Sequence, residues 1–341
     1  MPELPVASEG EKTRRQNVRR FLCGAFLLAC CALWQGVAQA DEGAATCIAP
    51  AKPEGGYDIT CRIARKLWQD TAPSGKALKI VYMPGGIGAV AFNAIVAQRP
   101  AEANTIVAFS SGSLLNIATG KFSLFGADSV KWLASVGIDH GMIAVRTDSP
   151  YQSLNDLAVA MKKEPGKVLF GAGGSIGSQD WMKAALFARK VGVSHTAMRY
   201  VAFEGGGEAF AALLSGHVQA VPGDIAEAAG LVASKKIRIL AVLSAERLPG
   251  KLATIPTARE QGFDIDWPTL RGFYMGPKVS QSDLMRWEAS FRQMAASPGY
   301  ARAIEAYGLT PDSKVGAELD SHVQQEVRRY KELARQFDLV R

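Results

Sequence analysis

Two cysteines, Cys47 and Cys61, bracket the stretch CIAPAKPEGGYDITC, and thiols at this spacing could bind a metal, carry out redox chemistry or form a disulfide. The spacing does not match common zinc-binding patterns, and no histidine lies nearby in the sequence. The C-x-x-C pattern of a redox site is also absent. In an exported protein an even pair of cysteines predicts a disulfide, so we favour a structural bond between Cys47 and Cys61.

Five loops rich in glycine and serine have the composition of anion-binding sites. The first N–H groups of a helix have no partner within the helix, the helix dipole favours negative charge there, and glycine lets the backbone approach a ligand closely. Glycine is also common in ordinary turns, but five such loops in one chain favour ligand binding. The loops are residues 50–58 (PAKPEGGYD), 83–93 (MPGGIGAVAFN), 110–116 (SSGSLLN), 171–180 (GAGGSIGSQD) and 203–210 (FEGGGEAF).

Nucleotide-binding and catalytic motifs receive little support. Residues 86–91 (GIGAVA) fit G-x-G-x-x-A, but the next strand carries no acidic residue for a ribose, and no G-K-[ST] follows these glycines. No histidine lies in a metal motif such as H-E-x-x-H. An exported hydrolase that uses Ser175 or Ser178 as nucleophile stays open as an alternative, and it needs a histidine base within hydrogen-bond reach. The histidines of the chain are His140, His195, His217 and His322.

Regular elements must position these loops, and strand-like runs alternate with helix-like runs along the chain. One amphipathic helix places Ile59, Ile63 and Leu67 on a single stripe. The alternation predicts an α/β architecture with largely parallel sheets, in which ligands bind at the carboxyl ends of the strands. The tail from Pro277 predicts two or three helices. The predicted strands are residues 78–83, 105–110, 141–146, 167–172, 197–203, 218–224 and 237–243.

The first forty residues predict a secretory signal peptide. Basic residues precede an apolar run from Phe21 to Trp34, and the segment ends in GVAQA before Asp41, which predicts cleavage after Ala40. A membrane anchor is the alternative, but the run is shorter than the roughly 20 residues that a spanning helix needs. Lipid anchoring at Cys30 is a further alternative. We expect an exported, periplasmic protein.

The composition suits a globular protein, with 48% hydrophobic and 21% charged residues in a chain of 341, which is long enough for two domains. Residues 1–40 contain five Lys/Arg and three Asp/Glu, so their removal lowers the formal net charge from +7 to +5. The remaining positive charge forms no dense basic tract. We therefore expect no nucleic-acid partner.

Six segments, in this order and spacing, carry a resemblance to a known family. They are residues 50–68, 81–100, 104–113, 168–187, 203–224 and 237–265. Together they resemble the periplasmic solute-binding receptors of tripartite tricarboxylate transporters, the Bug family, and the paired cysteines resemble its tricarboxylate-binding branch in particular. Two departures from the family pattern are Glu54, where many members carry glycine, and Gln179-Asp180, where a histidine is frequent.

The resemblance implies a two-lobed periplasmic binding protein of type II-like α/β fold, with a mainly parallel sheet in each lobe and the ligand cleft between the lobes. The chain would cross between lobes near Gly141 and again near Trp267. Lobe 1 would then hold residues 41–141 and 266–341, and lobe 2 would hold residues 142–265.

The resemblance also implies a binding protein rather than an enzyme, with no cofactor and no metal. It would capture a di- or tricarboxylate similar to citrate and deliver it to the membrane permease subunits of the transporter, acting as a monomer. A sensor subunit that presents the carboxylate to a signalling kinase is the alternative. Arg199 and Arg271 are the cations that could pair with the ligand, and a structural or surface role is the favoured alternative for both.

The family's ligand loops correspond to specific positions of this sequence. One carboxylate would be held by the first glycine-rich loop and by the loop that faces it across the cleft, while two further loops and an aspartate would complete the cleft. These expected ligand-binding residues are Gly55, Gly56, Tyr57, Asp58, Ser111, Gly112, Ser113, Gly174, Ser175, Ile176, Gly177, Ser178, Gln179, Gly205, Gly206 and Asp224.

Overall fold

A computed structural model describes residues 44–71, 77–123 and 125–340 of the chain. The predicted signal peptide, its cleavage site and Cys30 lie outside these residues. Within the described part, no helix combines the length and the apolar character that crossing a bilayer requires. The described residues form eight strands: β1 (Thr46–Ala49), β2 (Lys79–Tyr82), β3 (Thr105–Ser110), β4 (Lys131–Arg146), β5 (Leu169–Gly173), β6 (Arg199–Phe203), β7 (Ile237–Leu243) and β8 (Pro268–Met275).

Helices follow most of the strands, as the alternating sequence pattern predicts, and three helices complete the C-terminal part. The described residues form ten α-helices: α1 (Gly56–Thr71), α2 (Ala89–Ala97), α3 (Ser111–Ala118), α4 (Leu154–Lys163), α5 (Gln179–Val191), α6 (Gly206–Leu214), α7 (Ile225–Ala233), α8 (Gln281–Ala295), α9 (Tyr300–Glu305) and α10 (Ala317–Arg335).

The strands form two sheets. The larger sheet has the order β2-β1-β3-β8-β4-β7, and β5 and β6 form a separate parallel pair. Strand β1 runs parallel to both β2 and β3, whereas β8 runs antiparallel to β3 and to β4, and β4 runs antiparallel to β7. The α/β class is therefore confirmed. The expected parallel pairing holds for β1 with β2 and β3, and for β5 with β6. Strand β8, which comes late in the chain, pairs antiparallel with both β3 and β4.

Strand β4 joins two groups of strands. Its first part pairs with β8 as far as His140, opposite Pro268, and from Gly141 onwards it pairs with β7. The Gly141 amide donates to the carbonyl of Trp267 at 2.9 Å, so a second chain segment lies beside β4 where its partner changes. The proposed crossings near Gly141 and Trp267 fall at this point, and the division into lobes 41–141 with 266–341 and 142–265 stays a prediction.

Two strand predictions differ from the structure for physical reasons. Residues 218–224 form only isolated bridges, at Ala220, Val221 and Asp224, because Pro222 has no N–H to donate to a ladder. Strand β8 was not predicted, since its central residues are Arg271 and Gly272, which break the apolar pattern of a buried strand. The remaining predicted strands are present, and β4 begins ten residues before the predicted 141–146.

Helix α1 is the element that brings the first glycine-rich loop to the sheet. Its predicted stripe is buried, with Ile59 7%, Ile63 0% and Leu67 1% exposed, and it packs in the same core as β1. The disulfide prediction is confirmed: Cys47 in β1 bonds to Cys61 in α1, with a Cα–Cα distance of 5.8 Å. The start of α1 is therefore tied covalently to the sheet.

Candidate functional site

One pocket collects the N-terminal ends of five helices. Helices α1, α3, α5, α6 and α7 all contribute their first residues or the residue just before them, and the enclosed space measures about 50 Å³. Serine side chains cap two of these helices: Ser110 accepts from the Gly112 amide at 3.2 Å, and Ser178 accepts from the Trp181 amide at 3.3 Å. Helix N-termini attract negative charge, so the backbone around this inner pocket favours anionic groups.

A second, larger chamber adjoins the inner pocket. It has a volume of about 670 Å³ and shares Ile87, Asn116, Ser178 and Glu204 with the inner pocket as lining residues. Lys121 also lines this outer chamber, where its Nζ donates to the Ile176 carbonyl at 2.6 Å and lies 3.3 Å from the Ser175 hydroxyl. Burial lowers the pKa of Lys121. The two spaces together form one continuous cleft.

A buried network of charges supports the floor of the inner pocket. Arg271 on β8 donates to Asp139 from Nε at 2.9 Å and from Nη2 at 2.5 Å, and Nη2 also donates to Asp224 at 3.1 Å. Lys183 on α5 donates to Asp180 at 2.9 Å and to Asp224 at 2.5 Å. The network joins β4, β8, α5 and the start of α7, because Arg271 bonds to Asp139 and both cations bond to Asp224.

The network sets the charge states of its members. Burial by itself would raise the pKa of Asp224, but attraction to Lys183 and Arg271 outweighs burial and lowers that pKa. Burial would likewise lower the pKa of Lys183, and Asp180 and Asp224 reverse the effect and raise it. Asp224 is therefore a carboxylate and Lys183 an ammonium at neutral pH.

Glu227, in the first turn of α7, places its carboxyl group inside the pocket between two helix N-termini. Its Oε1 accepts a hydrogen bond from the Gly56 amide of α1 at 2.7 Å. On the other side, a Cβ at Gly206 of α6 would lie only 2.4 Å from Oε2. Burial, then the charges of Asp224 and Asp180, raise the pKa of Glu227 to about 8. A carboxyl group of the protein thus lies between the two glycine-rich turns.

Gln179, another lining residue of the same pocket, carries an unsatisfied acceptor. Its Nε2 donates to Asp224 at 3.0 Å, and because an ionised carboxylate only accepts hydrogen bonds, this contact fixes the orientation of the amide. The opposite atom, Oε1, is buried and has no hydrogen-bond partner among the described residues. A bound group with an N–H or O–H would satisfy it.

Comparison with known proteins identifies the family. Residues 86–339 match the family described as "Tripartite tricarboxylate transporter family receptor". The chain belongs to this family. One relative of this receptor is Protein BugT of Bordetella pertussis (strain Tohama I), which is 24% identical over 293 residues that cover 85% of this chain and 87% of BugT.

Solved structures show the same fold for this receptor. Periplasmic binding protein BugD has a TM-score of 0.78 and 19% identity, over 87% of this chain and 98% of BugD. MatC (Rpa3494) from Rhodopseudomonas palustris with bound malate has a TM-score of 0.73 and 19% identity, over 85% of this chain and 98% of MatC. The expected class, a periplasmic-binding-protein fold, is therefore confirmed.

The family consists of receptors rather than enzymes, and the geometry around the serines agrees with this. Residues 173–177 (GGSIG) fit the G-x-S-x-G sequence of a hydrolase nucleophile. Ser175 nevertheless contacts Lys121, and Ser178 caps α5. Among the residues that the structure describes, no histidine hydrogen bonds to either serine. Nor do these residues contain a group of three or more His, Cys, Asp or Glu side chains arranged to hold a metal ion.

The structure brings nine of the sixteen expected ligand-binding residues to the inner pocket. Two more, Gly174 and Ser175, line the outer chamber, so the loops from both sides of the expected cleft meet. The nine are Gly55, Gly56, Tyr57, Gly112, Ser178, Gln179, Gly205, Gly206 and Asp224. Asp224, the aspartate expected to complete the cleft, lines the pocket and is buried in the charge network.

The other five expected residues line neither space. Asp58 accepts from the Glu54 amide at 2.8 Å and pairs with Arg62, so it fixes the loop before α1. Ser111 accepts from the Leu270 amide at 2.9 Å, and Ser113 lies 3.0 Å from the Tyr57 hydroxyl. The last two, Ile176 and Gly177, belong to the loop before α5. Ile176 is 60% exposed, and Gly177 packs near Leu339.

Sequence reasoning missed Glu227 and three members of the network, Asp139, Asp180 and Lys183. A signal for Glu227 was present, because it follows Asp224 by three residues and a helix begins between them, which places both carboxyl groups at one helix end. Of the two cations expected to be able to pair with the ligand, Arg271 lines the pocket. Arg199, the other such cation, is exposed on β6.

Proposed function

We propose that this protein captures a small carboxylate in the periplasm and delivers it to the membrane permease subunits of a tripartite transporter. Within that class, di- and tricarboxylates, including citrate-like acids, are the first candidates, because the family is described as receptors for tricarboxylate transporters. A dicarboxylate, malate, is bound in a structure of the same fold.

The observation that carries the proposal is the convergence of five helix N-termini on one cleft with a cation at its outer end. The outer chamber, at about 670 Å³, is large enough for a small acid, and Lys121 beside Ser175 supplies a positive charge there. A carboxylate placed against Lys121 and the loop before α5 would exchange its hydration for N–H and O–H donors.

Calorimetric titration of the mature protein with succinate, malate, citrate and tricarballylate tests the proposal. We expect at least one carboxylate to bind and to raise the melting temperature, because a ligand that binds only the folded state stabilises it. Binding should weaken at least tenfold in Lys121→Met, whereas Lys162→Met, an exposed lysine on α4, should bind as the natural protein does. If no carboxylate binds while a solute without a carboxylate does, the proposal is wrong.

A further inference from the structure

The inner pocket already contains a carboxyl group, in the place where a carboxylate ligand would be expected. Glu227 accepts from the Gly56 amide at 2.7 Å and lies against Gly206, so it occupies the space between the N-termini of α1 and α6. These are two of the glycine-rich turns that suit an anion. A solute carboxylate at this position would have to displace Glu227.

The charge count around the pocket is unfavourable for a further anion. Three aspartates, Asp139, Asp180 and Asp224, face two cations, Lys183 and Arg271, and Glu227 adds a carboxyl group that is mostly neutral at pH 7 because its pKa is about 8. Adding a carboxylate would increase this excess of negative groups in a poorly solvated space, whereas adding a cation would reduce it. The raised pKa of Glu227 reflects the same excess.

The hydrogen-bonding groups that are unsatisfied in the pocket are acceptors. Gln179 Oε1 is buried without a partner, and the contact of Nε2 with Asp224 prevents the amide from turning its N–H groups towards the pocket. Gln179 Oε1 therefore requires a donor from the solute, and Glu227 can accept a further hydrogen bond once it is ionised.

The dimensions of the cleft favour a small polar group in this place. The inner pocket holds about 50 Å³, enough for a few water-sized groups but not for a whole di- or tricarboxylate. The outer chamber is more than ten times larger, at about 670 Å³, and contains Lys121. A solute can thus place its carboxylate in the outer chamber and extend one compact group into the inner pocket.

We propose that Glu227 is the specificity-determining residue of this receptor and that it selects carboxylate solutes that also carry an ammonium group. The ammonium group enters the inner pocket, pairs with Glu227, which releases its proton to solvent, and donates to Gln179 Oε1, while the carboxylate lies towards Lys121. This inference rests on the proposed function, that the solute is a small carboxylate, and it specifies the second group that the site recognises.

Pairs of solutes that differ in one end group test the inference on the natural protein. In 3-aminopropionate an ammonium group replaces one carboxylate of succinate, and 4-aminobutyrate has the same relation to glutarate. Calorimetry at pH 7 should show each amino acid binding at least tenfold more tightly than its dicarboxylate. If the dicarboxylates bind equally or more tightly, the inference is wrong while the proposed function stands. If neither kind of carboxylate binds, the proposed function itself fails.

Glu227→Gln separates charge recognition from pocket shape. The variant keeps an acceptor oxygen for the Gly56 amide but cannot ionise when an ammonium group binds, so the preference for the amino acid over its dicarboxylate should fall at least tenfold. Glu164→Gln, an exposed glutamate paired with Lys167, is the matched control and should keep the preference. An unchanged preference in a folded Glu227→Gln protein would overturn the role of this residue.

Discussion

Gly56, the first residue of α1, lies directly against the guanidinium group of Arg271: a Cβ on Gly56 would come within 2.4 Å of Nη1. These residues are far apart in the chain, and Arg271 is held in place by Asp139 and Asp224. The helix N-terminus that opens the pocket and the buried network beneath it are therefore in direct contact. Changes on either side should affect both stability and solute binding.

The first prediction concerns Gly56→Ala. The added methyl group must displace α1 or a guanidinium group that two carboxylates hold, so we expect a loss of about 1–3 kcal/mol in the free energy of unfolding, together with weaker solute binding. Urea denaturation and calorimetry measure the two effects. Gly230→Ala in α7 is the control, because its Cβ would meet nothing within 4 Å and should be neutral or stabilise by up to about 1 kcal/mol. Equal stability of the two variants would contradict the prediction.

The second prediction concerns Arg271→Met. Removal of the guanidinium leaves Asp139 buried without a cation, and breaking a buried ion pair from one side costs about 3–5 kcal/mol of folding stability. Arg247→Met, which breaks the exposed pair with Glu260, should cost no more than about 1 kcal/mol. Adding Asp139→Asn to Arg271→Met should recover part of the loss. A double variant less stable than Arg271→Met would argue against an uncompensated charge as the cause.

The third prediction concerns the disulfide. Replacing Cys47 and Cys61 by serine removes a constraint on a loop of about 15 residues and should lower the free energy of unfolding by roughly 3 kcal/mol in the chain-entropy model. Because the bond ties α1 to β1, solute binding should weaken more than in Met161→Ala, a buried residue of α4 with an expected cost of about 2–5 kcal/mol. Equal affinities in these two variants would make the bond a general stabiliser.

The fourth prediction concerns pH. The pKa of Glu227 is about 8 in the folded protein, against an ordinary value of 4.5, so the folded state holds this proton more tightly than the unfolded chain. Its contribution to stability is therefore fully present below about pH 4.5 and is lost as the pH rises through 8. The melting temperature of the natural protein minus that of Glu227→Gln should fall between pH 5 and pH 9. A difference that does not change with pH would refute the prediction.

The sequence alone determined the local features of this protein. The 3.6-residue spacing of Ile59, Ile63 and Leu67 predicted the buried face of α1, because helix periodicity is a property of neighbouring residues. The pair Cys47 and Cys61 predicted the disulfide, and the glycine-rich loops predicted that helix starts would line a binding site. Family resemblance then supplied the fold and the receptor class. Each of these features depends on short segments of the sequence or on the order of those segments along the chain.

The tertiary structure decided which of these features meet. Arg271 interrupts the apolar pattern of β8, and its function is visible only where β8 lies between β3 and β4 and turns that side chain towards Asp139 and Asp224. In the sequence Glu227 resembles an ordinary helix residue, yet its side chain accepts a hydrogen bond from an amide 171 positions away. Long-range contacts of this kind depend on how sheets and helices pack. For that reason the sequence indicated an anion site, and the folded chain showed a carboxyl group of its own within it.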